Sequence, residues 1–572
     1  MKEQEIISSW KKGKDYPSFM DESALITLIN GYLINNETPR DAIKRISSTA
    51  ARLLDRDDLE DQFFNAIWKG WICPSTPVWA NFGSKRGLPI SCFNSHIQDS
   101  ISGIFETLAE VAKMSQMGGG TSGYFGSIRP RGSKTGIANG VITGKTGGTK
   151  SFISIYDATI NNVSQGKVRR GNFAAYLDID HKDIDEFLNI REVGDPIQNI
   201  SPGVCITDSF IEKLYDGDEK ALTTWAKILE MRGKTGMPYI FFNDNVNNGI
   251  STPSWYGYKQ NNPDLYIRSS NLCTEILEPS NDYWSFVCCL LSLNIGKYKE
   301  WKNTNVIQLA IYILDSILTE FIDKTSDIKE MWKARKFAEE HRAVGLGVLG
   351  WHSFLQSENI PFNSLMAKSY NRIIFKDLRE KAELATYELG EKYEPCNIGD
   401  GKRRNSVLLA LAPTTTNAII QGESQSIEPW SSNYFIHKTS KGNFIRKNKF
   451  LEDILISIGH NTDEIWESIK KNGGSVQHLD ILDDHQKDVF KTFKEINQFI
   501  IIEQAAERQQ YIDQGQSLNV NIPPDTDPGL ISKLYLYAHK LGIKTLYYQR
   551  SETILRGGLQ EMSQESCVAC SG

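Results

Sequence analysis

The chain has no long apolar run. Its longest, around Phe286 to Leu293, is far too short to cross a bilayer, so no membrane association is expected. The N-terminal stretch MKEQEIISSWKKGKDYPSF has no apolar signal core. Positive charge is not in excess either. A net charge of −6 gives no reason to expect nucleic-acid binding. The histidines, His341 and His352 among them, show no ligand spacing with acids or cysteines and read as structural. There is no internal repeat and no low-complexity tract. These absences point to a cytoplasmic protein whose thiols stay reduced. Its 9 cysteines are then expected to be catalytic, metal-binding or simply buried rather than a disulfide framework.

What is present is ordinary globular composition, 40% hydrophobic and 23% charged, in 572 residues. That length suits one large α/β unit with an appendage. Residues 1–72 read as helical. Thr38-Pro39 is a cap followed by proline at the first helical position, with helical periodicity to Leu54, and a second helix is expected over Asp58 to Trp68. From Cys73 onward, Gly-rich segments at 118–126, 132–149 and 164–171 are interspersed with short apolar strands and longer amphipathic helices. Helices are expected over Val306 to Ile322 and Ser364 to Gly390. The alternation favours an α/β architecture with parallel strands. Pro528 to Leu541 reads as a helix leading into a strand over Ile543 to Tyr548. The polar, Gly-hinged stretch after Leu555 has no apolar periodicity and is expected to be mobile.

Chemistry concentrates at a few places. Asn271-Leu272-Cys273-Thr274-Glu275 sets an amide, a thiol and a carboxylate on alternate positions. In an extended segment all three share one face. The glutamate could act as base, the asparagine could orient, and the cysteine could attack or carry a radical. The competing reading is a buried loop cysteine. Ser91-Cys92 follows Cys73-Pro74-Ser75-Thr76-Pro77, and Cys288-Cys289 opens VCCLLSLN after its valine. One of these vicinal cysteines is structural, because adjacent strand side chains point to opposite faces. Pro413-Thr414-Thr415-Thr416-Asn417 lies between an apolar strand and a helix start, where it could bind phosphate or serve as an ordinary N-cap. Tyr547-Tyr548 ordinarily means packing. The terminal pair Cys567 and Cys570 suits thiol exchange with something buried that must be reduced once per turnover. It is not half of a zinc site, because no second CxxC accompanies it.

In order, CPSTP…SC, NLCTE, VCCLLSLN, LAPTTTN, LYYQR and CVAC resemble the large, catalytic subunit of class I ribonucleotide reductase, from about Cys73 to Gly572. The resemblance implies an α/β fold. It is a ten-stranded barrel of two antiparallel halves, each of five parallel strands, threaded by a finger loop. Residues 1–72 would form the helical region, 73–555 the barrel and 556–572 a redox tail. Cys273 would carry the thiyl radical, with Glu275 as base and Asn271 on the ribose. Cys92 and Cys288 would supply electrons and end as a disulfide, with Cys289 the weaker alternative. Thr76, Ser91, Gly120 and Pro413 to Asn417 match substrate-contacting positions. The PTTTN form departs from the family pattern and leaves di- against triphosphate preference open.

Tyr547 and Tyr548 match the pair that passes radical equivalents from a small subunit holding iron or manganese, with no metal or cofactor expected in this chain. Cys567 and Cys570 would be re-reduced by a thioredoxin- or glutaredoxin-like protein. Asp99, Ser100 and Arg129 match an effector site for a deoxynucleoside triphosphate or ATP at a homodimer interface. Gln165 and Arg169 would relay it to the substrate base. Too few residues precede Cys73 for an ATP-cone, so dATP is not expected to inhibit by that route.

Three other readings compete. One is an adenosylcobalamin-dependent reductase, and a second is a regulatory protein with a decayed site. The third is a P-loop NTPase built on Gly140-Val141-Ile142-Thr143-Gly144-Lys145-Thr146, where only three residues separate the first glycine from Gly-Lys-Thr and four are needed.

Overall fold

A computed structural model describes residues 3–34, 36–138, 141–163, 171–439 and 442–551. Gln165, Arg169, Cys567 and Cys570 lie outside the described residues.

The helices at the start form where expected. Thr38 caps Pro39–Leu53 through a capping box with Asp41, and a 3₁₀ turn at Asp57–Leu59 leads into Glu60–Trp68. Arg45 on the first of these pairs with Glu37 at 2.7 Å and donates to the Trp79 carbonyl at 2.9 Å. It thereby fastens the helical region to the short helix Thr76–Asn81.

The main sheet runs through five parallel strands in space: Cys92–His96, Gly120–Tyr124, Phe173–Asp178, Ile200–Ile206 and Tyr239–Phe242. Helices such as Ile101–Gln116, Thr149–Asn162 and Glu219–Thr235 lie between them in sequence. The Phe173 strand reads FAAYLD and is buried along almost its whole length, as parallel strands covered on both faces must be. Two short antiparallel strands close the edges, Phe286–Cys288 beside Cys92 and Thr545–Leu546 beside Tyr239.

The second half is less regular. Leu290–Asn294 pairs parallel with Gly345–Leu349, and the array continues through single parallel bridges, Leu346 to Leu409 and Leu411 to Gln516. The ten-stranded pattern is therefore only partly drawn as continuous strands. One cause is visible. The Leu408 and Leu409 N–H groups donate to the buried Asp513 carboxylate, at 2.9 and 3.1 Å, instead of to a neighbouring strand.

Other boundaries moved for local reasons. The helix expected to end at Gly390 runs over Leu365–Tyr393. Gly390 sits inside it because a Cβ there would lie 1.9 Å from the Lys402 carbonyl. The buried helix Val306–Thr325 and the helix Pro528–Lys540 lie close to their expected places. The strand expected over Ile543 to Tyr548 is only Thr545–Leu546, because the chain leaves one sheet there and joins Val520–Asn521 through Gln549–Arg550. Residues 141–145 form one strand of a hairpin with Lys134–Ala138, and the next helix starts only at Thr149. Lys145 therefore does not sit at a strand-to-helix phosphate loop. Among the described residues no single helix is long and apolar enough to cross a membrane.

Candidate active site

Residues 269–276 form a buried loop against the main sheet. The segment is not extended, as its alternation had suggested. Thr274 takes φ +70°, and its N–H donates back to the Asn271 carbonyl at 3.3 Å. Asn271 closes the turn further by accepting the Ile276 N–H on Oδ1 at 3.0 Å. A turn gathers the amide, thiol and carboxylate more tightly than a strand face would.

The loop's backbone is held from three sides. Ser517 Oγ donates to the Cys273 carbonyl (2.5 Å), Thr545 Oγ1 to the Thr274 carbonyl (2.9 Å), and Gly515 N to the Glu275 carbonyl (2.8 Å). At its base Tyr176 shares hydrogen bonds with Ser270 Oγ at 2.6 Å and the Asn271 carbonyl at 3.0 Å. No motif announces Tyr176, Gly515, Ser517 or Thr545. Only the packing reveals them.

Cys92 and Cys288 are direct cross-strand partners, and Ser91 N donates to the Cys288 carbonyl at 3.1 Å. Their thiols are close enough to hydrogen-bond. Cys289 points the other way and donates its thiol to the Leu314 carbonyl at 3.3 Å, so Cys288 is the member of the vicinal pair that faces Cys92. Gly120 lies in register with Cys92 on the next strand. A Cβ at Gly120 would come 2.9 Å from Leu272 Cδ2 and 3.3 Å from Cys92 Sγ. The missing side chain makes room for the loop beside the thiols. Replacing Gly120 with Ala is therefore expected to lower kcat by about 10- to 100-fold through misplacement of the loop, at a stability cost of about 1–3 kcal/mol. Steady-state turnover and thermal denaturation of the variant check this.

Burial governs the electrostatics. The Glu275 carboxyl is pushed up to about 8, first by burial and then by the neighbouring Cys92. Ser517 Oγ lies within hydrogen-bond distance of its Oε2, at 3.1 Å, and moderates the shift. Asn271 Nδ2 makes no hydrogen bond of ordinary geometry, though the amide lies close enough to Glu275 to favour the carboxylate slightly. The Cys288 thiol is raised well above its usual range by burial, then by Cys92. A buried, protonated thiol is a poor nucleophile and a suitable donor of hydrogen atoms and electrons.

Thr76 is buried in the first turn of Thr76–Asn81. Thr414 takes φ +54° before the helix Thr415–Gln421 and does not cap it with its side chain. Its Oγ1 instead accepts the Ser426 N–H at 2.8 Å, and Thr415 Oγ1 donates to Gln425 at 3.2 Å.

Tyr547 and Tyr548 lie between two short strands, with ring centroids 4.3 Å apart. Tyr239, unmarked in the sequence, packs against both, at 4.8 and 5.1 Å. Asp99 and Arg129 do meet, Nε to Oδ2 at 2.7 Å, in an exposed ion pair, and Ser100 caps the helix Ile101–Gln116. Among the described residues no group of three or more His, Cys, Asp or Glu is arranged to hold a metal ion.

The parallel sheet with its intervening helices makes this an α/β protein, with the buried loop of Cys273 packed beside the cross-strand pair Cys92 and Cys288. The comparisons are specific. The family model "Ribonucleotide reductase, barrel domain" matches residues 90–224, 218–403 and 397–549, and "Ribonucleotide reductase, all-alpha domain" matches residues 18–87. The chain belongs to the ribonucleotide reductase large-subunit family, whose members work with a separate small subunit. It is 34% identical over 582 residues to the ribonucleoside-diphosphate reductase large subunit of Invertebrate iridescent virus 3, covering 88% of this chain and 89% of the relative. It is 28% identical to the large subunit of Caenorhabditis elegans, covering 96% of this chain and 80% of that one. The class Id ribonucleotide reductase alpha subunit of Actinobacillus ureae shares its fold with a TM-score of 0.87 and 44% identity, over 93% of this chain and 97% of that chain. The adenosylcobalamin-dependent alternative finds no support among these relatives.

Proposed function

We propose that this chain is the catalytic subunit of a class I enzyme that reduces ribonucleotides by a radical route, with Cys273 as the radical-bearing residue. The small subunit, holding iron or manganese, supplies the oxidising equivalent. Tyr547 and Tyr548 pass it to Cys273. The Cys273 radical takes the hydrogen atom from C3′, Glu275 takes the 3′-hydroxyl proton, and Asn271 hydrogen-bonds the ribose. The 2′-hydroxyl leaves as water. Cys92 and Cys288 give two electrons and two protons and become a disulfide, the proton returns from Glu275 to the 3′-oxygen, and the hydrogen atom returns from Cys273 to C3′. Cys567 and Cys570 then exchange with that disulfide and are re-reduced by a thioredoxin- or glutaredoxin-like protein.

Thr76, Ser91, Gly120 and Pro413 to Asn417 form the substrate contacts in this reading, and a ribonucleoside diphosphate is the favoured substrate. Asp99, Ser100 and Arg129, with Gln165 and Arg169, bind and relay a deoxynucleoside triphosphate or ATP effector in a cytoplasmic homodimer. The observation that carries the reading is the register of Cys92 opposite Cys288 beside the loop of Cys273. The class Id name of the structural relative supports the class I assignment.

The test is CDP reduction with a matching effector and dithiothreitol, with and without the small subunit. Product is expected only with the small subunit and is expected to vanish in Tyr548→Phe. Product from the chain alone with adenosylcobalamin would reject the class I reading.

A further inference from the structure

The Tyr548 backbone is held differently from its neighbours. Tyr547 N donates to the Leu518 carbonyl (2.9 Å), Val520 N to the Tyr548 carbonyl (3.1 Å), and Ile522 N to the Arg550 carbonyl (2.8 Å). Tyr548 N instead donates to a side chain, Asn519 Oδ1, at 3.0 Å. Asn519 is fully buried, and its Nδ2 donates to Glu428 Oε1. Glu428 is itself 6% exposed, and its Oε2 lies 3.4 Å from Arg550 Nη1, two residues beyond Tyr548. A buried carboxylate thus orients an amide that fixes one tyrosine, and it also pairs with a cation on the same short segment. Burying that charge is costly unless its partners are well placed. The segment bearing Glu428 is anchored by Ser426 N on Thr414 Oγ1.

We propose that Glu428 and Asn519 are a positioning pair that sets Tyr548 for radical transfer. This rests on the reading of Tyr547 and Tyr548 as the radical route. Neither residue touches the reacting atoms. Their effect is on the separation and orientation of the Tyr548 ring, on which one-electron transfer between side chains depends steeply.

The test uses a reversal of hydrogen-bond polarity in the full chain with its small subunit. Asn519→Asp keeps an acceptor for Tyr548 N but sets a second carboxylate against Glu428. Adding Glu428→Gln restores a donor between them, with the polarity reversed. Asn519→Asp is expected to lower kcat at least about tenfold, with KM for CDP and small-subunit affinity within about twofold of wild type, and the double variant to recover to within about threefold. A merely structural role would not give recovery in kcat at constant KM. The proposal is overturned if Asn519→Asp turns over like wild type. It is also overturned if the double variant stays as slow as the single one while melting at the wild-type temperature. Where Asn519→Asp yields no folded protein, Glu428→Ala is read in its place, a tenfold kcat loss at unchanged KM supporting the pair and an unchanged kcat overturning it. Tyr548→Phe measured in parallel separates the two levels. Normal turnover there rejects the radical route itself, whereas an inactive Tyr548→Phe with an unaffected Asn519→Asp rejects only the positioning pair.

Discussion

Cys273→Ser abolishes deoxynucleotide formation while the protein stays folded and still binds CDP and the small subunit. That is the largest effect the structure leads us to expect. The Cys273 side chain is fully buried, and serine nearly matches its shape. The loop is held through backbone carbonyls, by Ser517, Thr545 and Gly515, so its path does not depend on the sulfur. What the substitution removes is a weak S–H bond and a sulfur able to hold an unpaired electron. A serine O–H bond is much stronger than the phenolic O–H bond of tyrosine, so an oxygen radical is not reached through tyrosines. Product assay, CDP binding and thermal melting of the variant check this together. Residual turnover above background would remove Cys273 from the central role.

Glu275→Gln is expected to lower kcat/KM by about 10²- to 10⁴-fold, the range for losing a positioned general base, and to erase a pH dependence that the wild type should show. The sign follows from the direction of the shift. Burial pushes the Glu275 carboxyl up to about 8, so near neutrality the free enzyme holds it mostly protonated and unable to accept a proton. The basic form grows as pH rises, so wild-type kcat/KM should climb up to about 8 and then level. A pH–rate series on both proteins decides it, and a slope surviving in Glu275→Gln would assign it to another group. The same shift acts on stability with the opposite sense. The folded state holds this proton more tightly than the unfolded chain, so Glu275 favours folding at low pH. That contribution is lost as pH rises from about 4.5 through about 8.

Much of this site could be read from the sequence because its residues sit in short, chemically unusual strings. Asn271, Cys273 and Glu275 are within five residues of one another, and the Cys92 and Cys288 strings keep their order. The structure brings both sets together. The alternation of Asn271, Cys273 and Glu275 nevertheless suggested the wrong backbone. A left-handed Thr274 cannot be read from spacing, because threonine rarely adopts that conformation. The helix with a distinct cap in the sequence, beginning at Pro39 after Thr38, fell where its cap placed it. Gly390 misled because its purpose is a close approach by a carbonyl far along the chain, not a helix stop. Tyr176, Tyr239, Ser517 and Asn519 were invisible for the same reason. Each is an ordinary residue in an ordinary strand or connection, and each acquires meaning only from a partner tens to hundreds of positions away.

The separations in the clamp on the loop are large. Ser517 reaches back 244 residues to Cys273, and Thr545 reaches back 271 to Thr274. A ribosome moving from the N-terminus therefore releases the reactive cysteine long before the residues that lock its backbone exist. The nascent chain carries the thiol without the contacts that hold its loop. Thr545 also comes only two residues before Tyr547, so the final fastening of the loop and the arrival of the tyrosine pair are the same late event. On the proposed radical route, a truncated or half-made polypeptide has neither the locked loop nor the tyrosines that the route needs.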